Sequence, residues 1–146
     1  MQVEWDGSES RCPRCGGSAT RDVSDGVQGG RLVYSVEIGC RDCSYRVIEC
    51  GAGDLPSSLR AELLAHHGVA RVRLDPAQAG PLRVRLLLAL RSLGGVSIAA
   101  ATAGYDRLIG EGAVGTEGEM RLLADRLTAA GAQVYLDLPG RLEGFA

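Results

Sequence analysis

The sequence predicts an α+β protein in which a small three-stranded sheet is followed by a β-α-α-β-α-β sandwich. Three observations predict this class. Two Cys-x-x-Cys pairs enclose a segment with the alternation of polar and apolar residues that is typical of strands. Apolar residues recur at helical spacing in three later segments, and alternating runs at residues 70–74 and 132–138 enclose them. A chain of 146 residues with 45% hydrophobic and 23% charged residues is long enough for two small globular units.

Charge and apolar run length exclude several classes of protein. Sixteen basic residues, all of them arginine, stand against 18 acidic ones, and a net charge of -2 provides no strong basic field for non-specific nucleic-acid binding. The longest apolar run, residues 86–90, is far shorter than the roughly 18 residues of a membrane span. Residues 1–10 contain three acids and lack the apolar region of a signal peptide. We therefore expect a cytoplasmic protein without membrane association.

The sharpest feature of the first unit, residues 1–53, is the spacing of its cysteines. Cys12 and Cys15 form one pair, and Cys40 and Cys43 form a second pair after 24 intervening residues. Each Cys-x-x-Cys turn presents two sulfurs from one knuckle, so two knuckles complete a tetrahedral shell. The spacing predicts one structural Zn²⁺ ion, because four thiolates leave no position for a catalytic water. The alternatives are a disulfide scaffold, which requires an oxidising compartment, and a redox pair.

The segments around the cysteines predict a small sheet. Strands are predicted at residues 18–23, 32–38 and 45–49, with a turn-rich stretch at residues 24–30. Two knuckles at one end of such a sheet resemble a zinc ribbon, over about residues 10–50. Because the core of a ribbon is small, the metal is expected to supply several kcal/mol or more of its folding free energy.

Other residues that bind metals in proteins have simpler interpretations here. Cys50 is predicted to be a small residue at a strand end, with a redox-sensitive thiol or an alternative ligand as the other readings. Residues 54–68 are predicted to be a linker helix, with a proline near its start and a glycine at its end. His66 and His67 point in different directions on such a helix, so we expect exposed helix-end residues rather than ligands.

The second unit, residues 69–146, begins with the strand at residues 70–74. The helix predicted at residues 82–93 is apolar on nearly every side and is therefore expected to pack on more than one face. Gly94 and Gly95 end it, and Ser97 is placed to cap a second helix that continues to about Leu108.

The rest of this unit contains one strong start signal. Residues 110–115 are predicted to be a linker with a short strand. Thr116 and Glu119 have the spacing of a capping box before the helix at residues 120–130. Its apolar stripe is Met120, Leu123, Ala124 and Leu127. The strand at residues 132–138 follows, and the helices are expected to cover one face of a three-stranded sheet.

Four stretches of this unit carry a family resemblance: residues 71–74, 84–91, 94–101, and the Leu-x-x-Ala-Gly-Ala-x-Val pattern of residues 127–134. Over about residues 69–138 the chain resembles the C-terminal domain of the bacterial ribosomal stalk protein, the L-seven/L-twelve family. The resemblance implies the α/β fold of that family and contacts with other proteins through the first two helices. It implies no catalytic residues.

The chain departs from that family on the same two helices. The stalk domain presents a lysine-rich surface there, whereas only Arg83 and Arg91 stand where basic residues are expected. Leu88, Ala99 and Thr102 occupy positions where the family usually has lysine. The dimerising region and hinge of the stalk protein are replaced by the predicted ribbon. We therefore expect a related fold with a changed partner.

These observations predict a non-enzymatic protein-interaction or adaptor module, since no catalytic triad, paired-carboxylate motif or phosphate loop is found in the sequence. Its predicted partner surface lies on the first helix of the second unit and comprises Leu82, Arg83, Leu86, Leu87 and Arg91.

The alternative is a translation- or transcription-associated factor that contacts RNA or a nucleic-acid machine through Arg11, Arg14 and Arg41. The acidic balance of residues 1–50, with six arginines against eight acids, favours a protein partner.

Overall fold

A computed structural model describes residues 9–93 and 97–139, with the backbone only for residues 9, 10 and 78. Residues 1–8, 94–96 and 140–146 lie outside the described residues. The predicted glycine stop at residues 94–95 and most of the predicted non-secretory segment therefore fall outside them.

The first sheet is antiparallel and has four strands in the order β1-β2-β3-β4. Their bounds are β1 Glu9–Arg11, β2 Ser18–Gln28, β3 Arg31–Cys40 and β4 Arg46–Ala52. The prediction of three strands was wrong because β1 has three residues, which is too short to show an alternating pattern.

The turn-rich stretch predicted at residues 24–30 is also corrected. Strand β2 continues to Gln28, which pairs with Arg31, so the turn consists of Gly29 and Gly30 alone. Both glycines have positive φ angles, 59° and 74°. Two-residue turns of this kind match the twist of antiparallel strands, which explains why the hairpin closes here rather than at Gly26.

The predicted linker helix is α1, Ser57–His67, and it packs against the first sheet. Leu59 and Leu63 of α1 form a small core with Val23 of β2. Arg21 of β2 donates from Nε to Glu62 Oε1 at 2.7 Å, and both side chains are largely buried. The helix therefore belongs to the packing of the first unit as well as connecting the two.

The second unit has the predicted order of strands and helices. Its elements are β5 Ala70–Leu74, α2 Pro76–Ala79, a 3₁₀ turn Gly80–Leu82, α3 Arg83–Ser92, α4 Ile98–Ile109, β6 Ala113–Gly115, α5 Glu117–Ala129 and β7 Val134–Asp137. The added short helix α2 begins where Asp75 accepts a hydrogen bond from the Ala77 amide. Both neighbours of the central strand pair with it antiparallel, in the order β6-β5-β7.

The core of the second unit lies between this sheet and its helices. Its most completely buried large side chains are Val72, Leu86, Leu108 and Leu127. The predicted stripe of α5, which includes Met120, is buried in it. Both predicted helix starts are confirmed: Ser97 accepts from the Ala100 amide, and the capping box of Thr116 and Glu119 is complete.

The two units touch through the β2–β3 hairpin, which packs on α5. Arg60 of α1 adds an ion pair with Glu119 of α5, with Nε and Oε1 3.0 Å apart. Within the described residues, no helix is long and apolar enough to cross a membrane.

Candidate metal centre

The first knuckle connects β1 to β2. The Cys12 amide donates to the Gly17 carbonyl at 2.8 Å, and the Gly16 amide donates back to the Cys12 carbonyl at 2.9 Å. Gly16 has a φ angle of 74°, a conformation that glycine adopts without strain. This tight turn places Cys12 and Cys15 on the same side of the knuckle.

The second knuckle connects β3 to β4. The Cys40 amide donates to the Tyr45 carbonyl at 2.9 Å and closes the turn around Cys43. Ala19 of β2 pairs with Cys40 at the end of β3. Because antiparallel pairing places the start of β2 beside the end of β3, the two knuckles meet at the same end of the sheet.

The four predicted ligands are brought together. All four Sγ atoms lie within 4.8 Å of one another. The Cys12 and Cys43 sulfurs are 3.7 Å apart, and those of Cys15 and Cys40 are 3.5 Å apart. A tetrahedral site with Zn–S bonds of about 2.3 Å has sulfurs about 3.8 Å apart. The geometry therefore fits a four-thiolate metal site, and the predicted cluster is confirmed as a possible metal site.

The sulfurs also receive backbone hydrogen bonds, which stabilise the thiolate form of cysteine. Each distance from amide nitrogen to sulfur is between 3.3 and 3.5 Å. The donors are the amides of Arg14, Gly17, Asp42, Cys43 and Tyr45.

The pKa values of the thiols are driven apart by their proximity. Burial of Cys12 opposes ionisation, but hydrogen bonds from backbone amides and from the neighbouring thiols outweigh it and lower the pKa of Cys12 to about 7. The Gly17 amide acts in the same direction on Cys15, yet the sulfurs of Cys40 and Cys43 prevail and raise the pKa of Cys15 to about 12. Four adjacent thiolates therefore need a bound cation to ionise together, a charge that a divalent metal would supply.

Asp42 is a structural residue of the site that the sequence analysis missed. Its Oδ2 atom accepts a hydrogen bond from the Ser18 amide at 3.1 Å and so links the second knuckle to the start of β2. A Cβ atom at Gly17 would overlap that oxygen and lie 3.0 Å from Asp42 Cβ, so a larger residue at position 17 would displace the Asp42 side chain. The available signal was an acidic residue inside a Cys-x-x-Cys turn, which by composition alone suggests only a solvated side chain.

The other candidate ligands lie away from this cluster. Cys50 is exposed on β4 and pairs with Ser35, five residues along β3 from Cys40. It lies inside the strand and outside the four-sulfur group, so its reading as an alternative ligand was wrong. His66 and His67 are exposed at the end of α1, as predicted, and Nε2 of His67 hydrogen bonds to the Val23 carbonyl at 2.7 Å.

The predicted partner surface on α3 is corrected by burial. Leu86 is fully buried in the core, and a side chain without exposed surface cannot contact a partner. Leu82 and Leu87 are half-buried and pack against the same core, while Arg83 and Arg91 are exposed. The exposed apolar side chains of α3 are Val84, at 72%, and Leu88, at 60%. On a helix that is apolar all round, the sequence could not show which face is buried.

Comparisons with protein-family models, with curated proteins and with solved structures found no match.

Proposed function

We propose that this chain is a non-enzymatic protein-interaction module whose first unit is a ribbon stabilised by one structural zinc ion. The observation that carries the proposal is the group of four cysteine sulfurs within 4.8 Å. Thiolates are soft ligands that select zinc, and four of them fill its tetrahedral shell, so the ion would contribute to folding rather than to catalysis. A reduced four-thiol site also suits a cytoplasmic protein.

Native mass spectrometry of the purified chain tests the metal assignment. We expect one zinc ion per chain, lost in Cys12→Ser and retained in the control Cys50→Ser, because Cys50 lies outside the sulfur cluster. Full zinc occupancy in Cys12→Ser would contradict the four-thiolate site.

The partner surface that we propose lies on α3 and extends over about one turn of that helix, from Val84 to Leu88. Val84 and Leu88 are four positions apart in the sequence, so their exposed side chains are neighbours on the helix surface. Exposed arginines on the same helix are Arg83, Arg85 and Arg91, and α3 contains no acidic residue. An apolar surface bordered by positive charge fits a protein segment that carries both apolar and carboxylate side chains.

Chemical crosslinking in the source cell tests this surface. We expect the main crosslinked partner to be lost from the double variant Val84→Asp/Leu88→Asp. The control is Val114→Asp, since Val114 is also an exposed apolar residue but lies on β6. An unchanged set of crosslinked proteins in the double variant would refute the surface.

We also propose that the second unit is related in fold to the C-terminal domain of the bacterial ribosomal stalk protein. The order of its main strands and helices and the position of β5 between β6 and β7 support this relation. The exposed residues Leu88 and Ala99 replace lysines that are usual in that family, which favours a different partner.

A second candidate function is contact with RNA or a nucleic-acid machine. Arg11, Arg14 and Arg41 are all exposed beside the two knuckles, and their charge could meet phosphate groups. Salt-dependent RNA binding that disappears in the triple alanine variant would support this candidate over the adaptor function.

A further inference from the structure

The β2–β3 hairpin carries the candidate metal site near one end and the contact with α5 near the other. Near its closed end, Asp25 Oδ2 accepts hydrogen bonds from the Thr116 hydroxyl and from the Gly118 amide, the latter at 3.0 Å. Arg126 of α5 donates from Nη2 to the Gly30 carbonyl at 3.0 Å. The Asp25 carboxylate thus fixes the hairpin to the start of α5, and the hydrogen bond from the Arg126 side chain fixes the Gly29–Gly30 turn to the same helix.

The sequence of α5 is adapted to this contact. A Cβ atom at Gly118 would lie 2.5 Å from Asp25 Oδ2 and 2.8 Å from Leu32 Cδ1, so any side chain there would push these two side chains of the hairpin away from α5. The N-terminal end of a helix carries a partial positive charge and free amides, which suit a carboxylate. Asp25 therefore acts as an additional cap of α5, supplied by a segment distant in sequence.

The first sheet has little core of its own. Within its described residues, the buried apolar side chains are Cys12, Ala19, Val23 and Leu32. Ordering the backbone of these strands costs conformational entropy, and the burial of four small or medium side chains offsets only part of that cost. Besides the packing of α1 on Val23, metal binding at one end of the hairpin and docking on α5 at the other contribute to ordering the same strands.

We propose that zinc binding and docking of the hairpin on α5 are thermodynamically coupled, so that loss of zinc releases Asp25 and frees the Gly118 amide and the Thr116 hydroxyl. The proposal rests on the zinc site proposed above. Tyr34, the register partner of Asp25, lies six residues from Cys40, which is about 20 Å along the strand. Because coupling between two sites is reciprocal, a variant that weakens docking also weakens zinc binding.

The experiment measures zinc affinity of the full chain by competition with a chromophoric chelator. For Asp25→Ala we expect affinity to fall about tenfold, within the usual range of coupling between sites. The matched control is Asp22→Ala, because Asp22 has the same charge, is exposed on the opposite face of β2 and lies nearer the cysteines in the strand. A purely electrostatic effect would be larger for Asp22→Ala than for Asp25→Ala, whereas coupling predicts the reverse.

A second readout follows the contact itself in the wild-type chain. We expect hydrogen exchange at the Gly118 amide to become faster after zinc is removed with a chelator, since its hydrogen bond to Asp25 is lost. If Asp25→Ala does not fold, Asp25→Asn, which retains an oxygen acceptor, is expected to show a smaller loss of affinity than tenfold but a larger one than Asp22→Ala.

The outcomes separate the two proposals. A wild-type chain that binds no zinc would refute the zinc site itself. Tight zinc binding with equal affinities for the Asp25 and Asp22 variants, or exchange at Gly118 that does not respond to zinc, would refute the coupling and leave the zinc site standing.

Discussion

The close approach of the hairpin to α5 makes Gly118 the most informative single position in the contact. In Gly118→Ala the new methyl group would lie 2.5 Å from Asp25 Oδ2, well inside van der Waals contact. The carboxylate would have to withdraw from the Gly118 amide and the Thr116 hydroxyl. We expect Gly118→Ala to destabilise the chain although alanine is the better helix former.

Two opposing effects determine how much Gly118→Ala changes the free energy of unfolding. Two hydrogen bonds to a half-exposed carboxylate are worth about 3 kcal/mol together, taking the lower values for bonds to charged groups. Replacing glycine by alanine in a helix increases stability by at most about 1 kcal/mol, and by less in the first turn. The free energy of unfolding is therefore expected to fall by about 2 kcal/mol.

Urea denaturation of the zinc-loaded chain measures this difference. The control is Gly104→Ala in the middle of α4, where the new Cβ would be 3.9 Å from the nearest neighbouring side-chain atom, Leu90 Cδ1. That variant is expected to be as stable as wild type or more stable, by up to about 1 kcal/mol. If Gly118→Ala is also more stable than wild type, the close contact between Asp25 and Gly118 is refuted.

Three further predictions concern the metal site, the contact and the core. Gly17→Ala is expected to weaken zinc binding in chelator competition, because its Cβ would displace the Asp42 side chain and break the hydrogen bond that links the second knuckle to Ser18. Burial, reinforced by Glu117 and Glu119, raises the pKa of Asp25 above its usual 3.8, although Thr116 and Gly118 act against it. The folded chain thus favours the protonated form of Asp25, and the pH-dependent part of the stability is full below the usual value and is lost as pH rises through the raised pKa, while the carboxylate still accepts its hydrogen bonds. Unfolding titrations should find this pH dependence absent in Asp25→Asn. Leu86→Ala is expected to cost about 2–5 kcal/mol in urea denaturation, whereas Leu88→Ala should change stability by less than about 0.5 kcal/mol; equal losses would contradict the orientation of α3.

Short-range signals account for the parts of the structure that the sequence predicted. Thr116 and Glu119 form a capping box within one helix turn, and the four cysteines lie in two turns whose chemistry points to a common metal. Each of these signals is complete within a few neighbouring residues or depends on a strict ligand type.

Long-range packing decided the parts that the sequence did not predict. Asp25 and Gly26 are residue types that favour turns, but pairing with β3 and the contact of Asp25 with Thr116 hold them in a strand. The exposed face of α3 depends on how the helix is rotated against the core, and the pattern of leucines left that rotation undetermined.

The hydrogen bond of His67 has a consequence for self-association. Strand β1 covers only the first three residues of β2, Ser18–Thr20, and within the described residues no strand pairs with the rest of that edge. An unprotected strand edge is a template for pairing with another molecule. Since the Val23 carbonyl can only accept, Nε2 of His67 carries the proton and occupies the acceptor that an incoming strand would need. The end of α1 thus blocks one hydrogen-bonding position on the free edge of β2.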